Sequence, residues 1–224
     1  MKNIIITGHF GSGKTNIALN LAFSLRKEEK KVILIDLDIV NPYFRSSDNI
    51  DELLQNEIKL ISPVFVNSNL EVPSLPPEIY GVFNKEYDDY IIIWDIGGDD
   101  DGARVLGRFS NEIKQSGYEM YYVINKYRPL TIEKDETKKL LTDIEHVSRL
   151  KITQLINNSN LGCETTLKNI FDSCEYVNEI SKNLNLPIKY NAVSKKIFKD
   201  SEIILLEKRY DNLLKMENYT KKYW

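Results

Sequence analysis

The stretch IIITGHFGSGKTNIALNLAF, residues 4–23, joins an apolar run to a helical pattern through a glycine-rich loop. In this loop Gly8 is followed by four residues and then by Gly13, Lys14 and Thr15, which is the G-x-x-x-x-G-K-[ST] pattern of a phosphate-binding loop. Glycines let backbone N–H groups curve around a polyphosphate, and the helix that begins behind them adds a favourable dipole. The stretch therefore predicts a strand, a nucleotide-binding loop and a helix, in that order.

The side chains of this loop have distinct expected roles. Lys14 is long enough to reach the β and γ phosphates of a nucleotide and to act there as a catalytic cation, whereas the hydroxyl of Thr15 suits a Mg²⁺ ligand. The cradle that we expect to bind the nucleotide consists of Gly8, Gly11, Ser12, Gly13, Lys14, Thr15 and Asn16.

Composition places the chain among ordinary globular proteins. Its 224 residues, 42% of them hydrophobic and 28% charged, can bury one sizeable core, so we expect a single domain over residues 1–224. A net charge of −3 disfavours binding to nucleic acid or to an anionic membrane. No run reaches the roughly 18 apolar residues of a membrane span, and Cys163 and Cys174 lack the spacing of a metal pair or a disulfide scaffold. We therefore expect a cytoplasmic protein with reduced thiols.

Apolar runs rich in Val, Ile and Tyr alternate along the chain with longer stretches of helical period. This alternation is typical of βαβ units, and several runs lack polar alternation, as in strands that helices cover on both faces. We predict a doubly wound α/β fold, in which a mainly parallel sheet carries helices on both faces. The predicted strands are Asn3 to Thr7, Lys31 to Asp36, Ile58 to Val66, Tyr90 to Ile96, Glu119 to Asn125, Lys151 to Asn157 and Pro187 to Asn191. The predicted helices are Lys14 to Glu28, Gly102 to Gln115, Ile132 to Arg149, Thr165 to Asn183 and Ser201 to Tyr219.

Two regions depart from this alternation. Residues 67–89 contain Pro73, Pro76 and Pro77, so we predict an irregular insert of loop or short helix rather than a strand. The last predicted helix, residues 201–219, has an apolar face, and we expect it to dock on the core rather than on a membrane.

Acidic residues follow two of the predicted strands. Asp36 and Asp38 lie two residues apart, so they point to the same side, near the edge where ligands collect in an open α/β sheet. One of these carboxylates can orient a Mg²⁺-bound water, and the other can position an attacking water. Asp95 ends another strand and suits a carboxylate that holds the Mg²⁺ shell, while Gly98 can bring a backbone N–H against a γ phosphate.

The motifs GHFGSGKT, DLDIVNP, DIGG and LINNSNLG occur in this order, and with them the chain resembles the MinD/ParA-like branch of the phosphate-loop ATPases. This branch of the SIMIBI class includes bacterial division-site and chromosome-partitioning ATPases, nitrogenase iron protein and the cobyrinic acid diamide synthases. The resemblance covers residues 1–195 and implies ATP and Mg²⁺ as cofactors. The implied roles are Lys14 and Thr15 at the phosphates and the metal, Asp36 near the metal, Asp38 at the hydrolytic water, Asp95 with Gly98 as γ-phosphate sensor, and Asn157 at the adenine.

His9 is the departure from this family pattern. Many members carry a signature lysine at this position, which reaches across a dimer to the partner's phosphates. A histidine is shorter and mostly neutral at pH 7, so it does not replace that cation. A homodimer that is activated in trans is therefore in doubt for this chain.

Two segments indicate which nucleotide base the site would bind. A guanine reader needs Asn-Lys-x-Asp, because the aspartate accepts from the guanine N–H groups, but the segment INKYRP has Arg128 at the fourth position. An amide such as that of Asn157 can donate and accept at once, which matches the edge of adenine. Arg128 itself follows a strand's carboxyl end, where it can face a phosphate, an acidic substrate or solvent.

These features support a Mg-ATP-binding ATPase that acts as a nucleotide-dependent switch for a protein partner. One alternative is an ATP-dependent ligase or kinase that acts on a small carboxylate. Another is a nucleotide-binding scaffold without catalysis.

Overall fold

In the computed structural model, which describes residues 2–37, 46–62, 75–98 and 100–220, eight strands form one parallel sheet. The sheet order is β3-β2-β4-β1-β5-β6-β7-β8, so the strand that leads into the phosphate loop lies near the centre. The predicted α/β fold with a parallel sheet is confirmed. The strands are β1 Asn3–Gly8, β2 Lys31–Leu37, β3 Lys59–Ile61, β4 Tyr90–Ile96, β5 Tyr118–Ile124, β6 Gln154–Asn157, β7 Ile188–Ser194 and β8 Leu213–Met216.

Helices connect the strands and cover both faces of the sheet. None of the helices in the described part of the chain has the length and apolarity needed to cross a bilayer. Short 3-10 turns occur at Ser46–Asn49, Lys85–Tyr87, Pro129–Thr131 and Gly162–Glu164. The α-helices are α1 Lys14–Lys27, α2 Ile50–Gln55, α3 Glu78–Gly81, α4 Asp100–Gly107, α5 Ser110–Ser116, α6 Lys134–Ser148, α7 Leu167–Leu184 and α8 Asp200–Arg209.

Both faces of the sheet are buried, which explains why its strands are apolar without alternation. On one face, residues such as Ile6, Leu34 and Ile93 pack against α1. On the other face, residues such as Ile5 and Trp94 pack against the side of the molecule formed by α3 to α7. Successive residues of one strand therefore enter two different hydrophobic clusters.

The described part of the proline-containing insert, residues 75–89, folds as the short helix α3 and a 3-10 turn. Ile79 and Val82 are buried in the core, and the ring of Phe83 lies 6.0 Å from that of Trp94. The second half of the insert is thus attached to the core. Residues 67–74 lie outside the described part of the chain.

The predicted helix Gly102 to Gln115 is wrong as one unit, because it is divided into α4 and α5. The break allows Phe109 to turn inward, where its ring lies 5.8 Å from that of Trp94. Just before the break, a Cβ on Gly107 would lie 2.7 Å from the carbonyl oxygen of Val147, so α4 packs tightly on α6 there.

The predicted C-terminal helix is also wrong beyond Arg209. The chain becomes extended at Tyr210, and residues 213–216 form β8, an edge strand parallel to β7. Asn212 favours this path because its side chain donates to the carbonyl of Ile188 and accepts from the amide of Asn191. The leucines at 213 and 214 therefore follow a strand, although their spacing from α8 resembles a helical stripe.

Beyond β8, the chain is fastened to α1 by two asparagines. The side chain of Asn20 donates to the carbonyl of Glu217 at 2.9 Å and accepts from its N–H at 2.9 Å. The side chain of Asn16 donates to the same carbonyl and accepts from the N–H of Tyr219, whose ring lies 4.6 Å from that of Phe23. These side-chain amides bond to the N–H and C=O groups of the extended segment as the backbone of a neighbouring strand would.

We expect Asn20→Ala to lower the free energy of unfolding by about 2 kcal/mol, because it removes both hydrogen bonds to Glu217 and leaves part-buried backbone groups unpaired. Urea denaturation followed by circular dichroism measures this change. Asn218→Ala, an exposed asparagine in the same segment, is the matched control and should change stability by less than about 0.5 kcal/mol. Equal stability of the two variants would contradict a stabilising role for the hydrogen bonds between Asn20 and Glu217.

Candidate nucleotide-binding site

The carboxyl ends of the parallel strands meet at one edge of the sheet. The ends of β1, β2, β4, β5 and β6 bring the phosphate loop, two acidic residues and two asparagine-containing turns to this edge. Ligands bind at this edge in open α/β sheets, because strand ends and helix N-termini converge there. The site is therefore assembled from segments that are distant in sequence.

Close contacts at two glycines fix the course of the phosphate loop. A Cβ on Gly8 would lie 2.4 Å from the carbonyl oxygen of Val123, and a Cβ on Gly13 would lie 2.3 Å from the side-chain nitrogen of Asn158. Gly13 also has a φ of 88°, a conformation that glycine adopts without strain. Only glycine fits at these two positions, so the motif is required by packing as well as by any ligand.

The loop holds its polar side chains inward. Lys14 is buried, and its Nζ donates to the carbonyl of His9 at 3.2 Å. Ser12 is also buried, and among the described residues no hydrogen-bond partner is found for its Oγ. A cradle with an inward cation and an unsatisfied hydroxyl fits the oxygens of a polyphosphate.

Asp36 and Asp95 lie side by side on neighbouring strands. They are partners in the register between β2 and β4, and they continue the rows of Leu34 and Ile93 that face α1. Ser46 joins them, because its backbone N–H donates to Asp36 Oδ2 at 3.0 Å and its Oγ donates to Asp95 Oδ2 at 3.4 Å. The sequence offered no signal for Ser46, which lies ten residues after Asp36.

The donor set on this face suits a magnesium ion that also binds phosphate. Thr15 lies in the first turn of α1, on the face of the sheet where both carboxylates point. Across the described residues no group of three or more His, Cys, Asp or Glu forms a complete metal cage. Mg²⁺ at phosphate sites uses one or two carboxylates together with water and phosphate oxygens, so Thr15, Asp36 and Asp95 fit such an ion. Asp38 lies outside the described residues.

Gly98 lies against the phosphate loop, and its role as a γ-phosphate sensor stays a prediction. A Cβ on Gly98 would be 2.6 Å from the backbone nitrogen of Phe10 and 2.9 Å from Lys14 Nζ. The backbone after β4 thus comes close to the side chain of Lys14.

The asparagines that follow β6 divide their contacts between the core and the loop. Asn157 is buried, and its amide donates to Ser173 and to the side chain of Asn191. Asn158 instead donates to the carbonyl of Ser12 at 2.7 Å. The structure therefore joins Asn158 to the phosphate loop, a contact that the sequence did not predict, and it places the Asn157 amide in an internal network. The side chain of Asn16 likewise contacts the C-terminal segment.

His9 lies near two cations. Burial, the ammonium of Lys14 and the guanidinium of Arg128 lower the pKa of His9 below its usual value near 6.5. Arg128 comes close because its Nε donates to the carbonyl of Gly11 at 3.0 Å. The imidazole is therefore neutral at pH 7, and it supplies no positive charge in place of a lysine.

Residues 4–164 match the family described as the CobQ/CobB/MinD/ParA nucleotide binding domain. The chain belongs to this family. As a CobQ/CobB/MinD/ParA domain, it is a MinD/ParA-like nucleotide-binding domain with a P-loop, and its phosphate loop and acidic strand ends lie within the matched residues. No curated protein matches the chain significantly.

Solved structures show the same fold at low identity. The cell division protein FtsY from Thermotoga maritima matches with a TM-score of 0.56 and 18% identity, over 86% of this chain and 61% of that chain. FtsY from the chloroplast of Physcomitrella patens matches with 0.55 and 15%, over 84% and 57%. The signal recognition particle receptor FtsY from Elizabethkingia anophelis, in complex with GDP, matches with 0.53 and 17%, over 86% and 57%. The chain spans less than two thirds of the length of each.

Gly98→Ala is expected to weaken nucleotide binding by roughly 10- to 100-fold, because overpacking of about 1–3 kcal/mol would displace the loop backbone or Lys14. Isothermal titration calorimetry with Mg-ATP and Mg-GTP measures the affinity. The matched control is Gly81→Ala, where an added Cβ meets only a side-chain atom at 3.9 Å, and it should bind like the wild type. Unchanged binding by Gly98→Ala would show that this glycine does not border the site.

The histidine titration can be followed by NMR in the free protein. We expect His9 to titrate below about 6.5, and Arg128→Gln to raise its pKa because one of the two neighbouring cations is lost. The stability gained by holding the neutral imidazole is present above the unfolded pKa, and it declines as the pH falls through the lowered folded pKa. Arg108→Gln, an exposed arginine in the connection between α4 and α5, should leave the titration unchanged. A His9 pKa above 6.5, or one unaffected by Arg128→Gln, contradicts the assignment.

Proposed function

We propose that the chain binds Mg-ATP, hydrolyses it slowly and uses the bound state as a switch for a protein partner. The observation that carries the proposal is that one edge of the sheet holds Lys14 with Gly98 beside it and, on neighbouring strand ends, the Asp36–Ser46–Asp95 bridge. Nucleotide hydrolysis needs positioning and charge stabilisation around a terminal phosphate, and these groups supply cations, N–H donors and metal-binding oxygens in that place.

The residues of the site have separate proposed roles in this reaction. Lys14 would exchange its contact with the His9 carbonyl for oxygens of the β and γ phosphates, and the backbone at Gly98 would donate toward the γ phosphate. Thr15, Asp36 and Asp95 would hold Mg²⁺, which neutralises charge on the phosphates when it is bound. Asp38 is proposed to orient the attacking water. This assignment rests on the family resemblance, since Asp38 lies outside the described residues.

Adenine is favoured over guanine by the missing carboxylate. At the end of β5 the fourth position of the Asn-Lys-x-Asp pattern is Arg128, and the turn after β6 reads Asn157, Asn158, Ser159 and Asn160. In that second turn too, the fourth residue is not an aspartate but Asn160, whose amide oxygen accepts from the N–H of Gly162. An asparagine cannot accept from two guanine N–H groups with the charge of an aspartate. The FtsY structure in complex with GDP shares the fold with this chain at 17% identity, and the fold alone does not determine which base is bound. Asn157 would reach adenine only by leaving Ser173 and Asn191.

The switch has a physical route from the metal site to the surface. Ser46, which both carboxylates hold, begins the 3-10 turn that leads directly into α2. On α2 the side chains of Ile50 and Leu54 are exposed, with 48% and 64% of their surface accessible. A ligand that alters the contacts of Asp36 and Asp95 would therefore shift an apolar helix surface that a protein partner can contact.

The proposal is tested by turnover and melting of the wild type and two variants. We expect Mg-ATP to raise the melting temperature of the wild type, and Lys14→Ala and Asp38→Ala to reduce ATP turnover by about 100-fold or more. Lys27→Ala, an exposed lysine at the other end of α1, is the matched control and should retain wild-type turnover.

Each part of the proposal has its own contradicting outcome. If neither ATP nor GTP raises the melting temperature in the presence of Mg²⁺, the nucleotide site is wrong, and if only GTP does, the adenine assignment is wrong. A large increase in turnover on adding a small carboxylate would replace the switch with ligase or kinase chemistry. Binding without any turnover would leave a nucleotide-dependent scaffold.

A further inference from the structure

Arg128 places a guanidinium directly on the phosphate loop. Its Nε donates to the carbonyl of Gly11 at 3.0 Å, and a Cβ added to Gly11 would lie 3.4 Å from the same nitrogen. The contact joins residues 117 positions apart, and the side chain remains exposed at the ligand edge. A guanidinium has five N–H donors in a planar fork, and this contact uses one of them.

The turn that carries Arg128 is held by buried groups. Its backbone N–H donates to the carbonyl of Asn125 at 3.1 Å, and its carbonyl accepts from the N–H of Thr131 at 2.9 Å. Asn125 and Thr131 are both buried, and the hydroxyl of Tyr176 donates to the Thr131 carbonyl at 2.7 Å. Pro129 follows Arg128 and restricts its backbone further. An exposed arginine on such a rigid turn is positioned before any ligand binds.

The charge of the loop makes this position significant. His9 is neutral at pH 7, so it adds no cation to Lys14 from its place in the loop. The guanidinium of Arg128 is close enough to contribute to the lowered pKa of His9, together with Lys14. Two cations, one from α1 and one from the turn after β5, thus border the same few residues of the loop.

We propose that Arg128 is a catalytic residue supplied in cis, which contacts the oxygens of the terminal phosphate and stabilises the negative charge of the transition state. This inference rests on the proposed hydrolysis of a nucleoside triphosphate. A planar fork matches phosphate oxygens in a bidentate manner, and a preorganised donor costs little reorganisation when charge develops. The site would then not need a cation from a second subunit.

The reaction is balanced without proton transfer by Arg128. An oxygen of water bonds to the terminal phosphorus, and the bond to the bridging oxygen breaks with its electron pair remaining on the nucleoside diphosphate. The protons of the water pass to inorganic phosphate and to solvent. Arg128 neither gives nor takes a proton in this step and acts through its charge and its N–H donors.

A purely structural role for Arg128 is the competing explanation. An arginine that only braces the loop through Gly11 would support the diphosphate and the transition state equally. An arginine that meets developing charge would support the transition state far more. Comparing ADP with ADP plus aluminium fluoride, an analogue of the transferring phosphoryl group, separates the two roles.

The experiment measures the affinity of Mg-ADP, with and without aluminium fluoride, and the kcat of hydrolysis for four proteins. GDP and GTP replace the adenine nucleotides if the wild type binds only those. For Arg128→Ala we expect an affinity for Mg-ADP within about twofold of the wild type. The affinity for Mg-ADP with aluminium fluoride should decrease, and kcat should fall by about 100-fold. Arg128→Lys should recover part of the loss, because an ammonium is charged but lacks the fork. Arg108→Ala should match the wild type.

Free guanidinium provides a second readout. Guanidinium chloride, at concentrations far below those that unfold the protein, should increase the turnover of Arg128→Ala and leave that of Arg108→Ala unchanged.

If Arg128→Ala loses affinity for Mg-ADP and for Mg-ADP with aluminium fluoride equally, Arg128 only supports the loop and the inference is overturned. Wild-type values in Arg128→Ala would also overturn it. If Arg128→Ala does not fold, Arg128→Lys decides: a normal fluoride complex and kcat in that variant would overturn it. A wild type that neither binds nor hydrolyses any nucleotide contradicts the proposed function, before any variant is compared.

Discussion

The structure depends on close contacts at the glycines in and beside the phosphate loop. At Gly8 the loop touches β5, at Gly13 it touches the turn after β6, and at Gly98 the segment after β4 touches the loop from the other side. A side chain at any of these places would collide with backbone or polar atoms at less than 3 Å. The immediate neighbours of β1 in the sheet are β4 and β5, which bring Gly98 and Val123 against the loop. The polar groups of the site are then placed by the same contacts.

Asparagine side chains hold several elements that the regular ladders do not join. One row runs from Asn157 through Asn191 to Asn212 and connects the turn after β6 with the edge strand β8. A second pair, Asn16 and Asn20, connects the phosphate-loop helix with the segment after β8. An amide carries a donor and an acceptor at one end, so it can imitate a peptide group where no strand is available. The nucleotide edge and the C-terminal edge of the sheet are thereby linked through buried or part-buried polar contacts.

The acidic residues illustrate how far a sequence pattern reaches. The strand that ends with Asp36 and the strand that ends with Asp95 were both visible as apolar runs followed by a carboxylate, and their parallel pairing was predictable from the alternation of runs and helices. Their exact neighbourhood was not, because it depends on the register between β2 and β4. Ser46 was invisible for the same reason: its role comes from where the chain returns after residues 38–45, and a serine has no distinctive pattern of its own.

The amino-acid sequence by itself determined the phosphate loop, the α/β class, the parallel sheet and the family, since these follow from local patterns of glycine, charge and apolar period. The tertiary structure alone decided the division of residues 102–115 into two helices and the replacement of the last helical turns by β8. In both places a predicted helix was overridden by the contacts that its residues make in the fold: Trp94 for Phe109, and β7 for residues 213–216. It also decided that Arg128 and Asn158 meet the phosphate loop, because contacts between residues more than 100 positions apart leave no periodic trace in a single sequence.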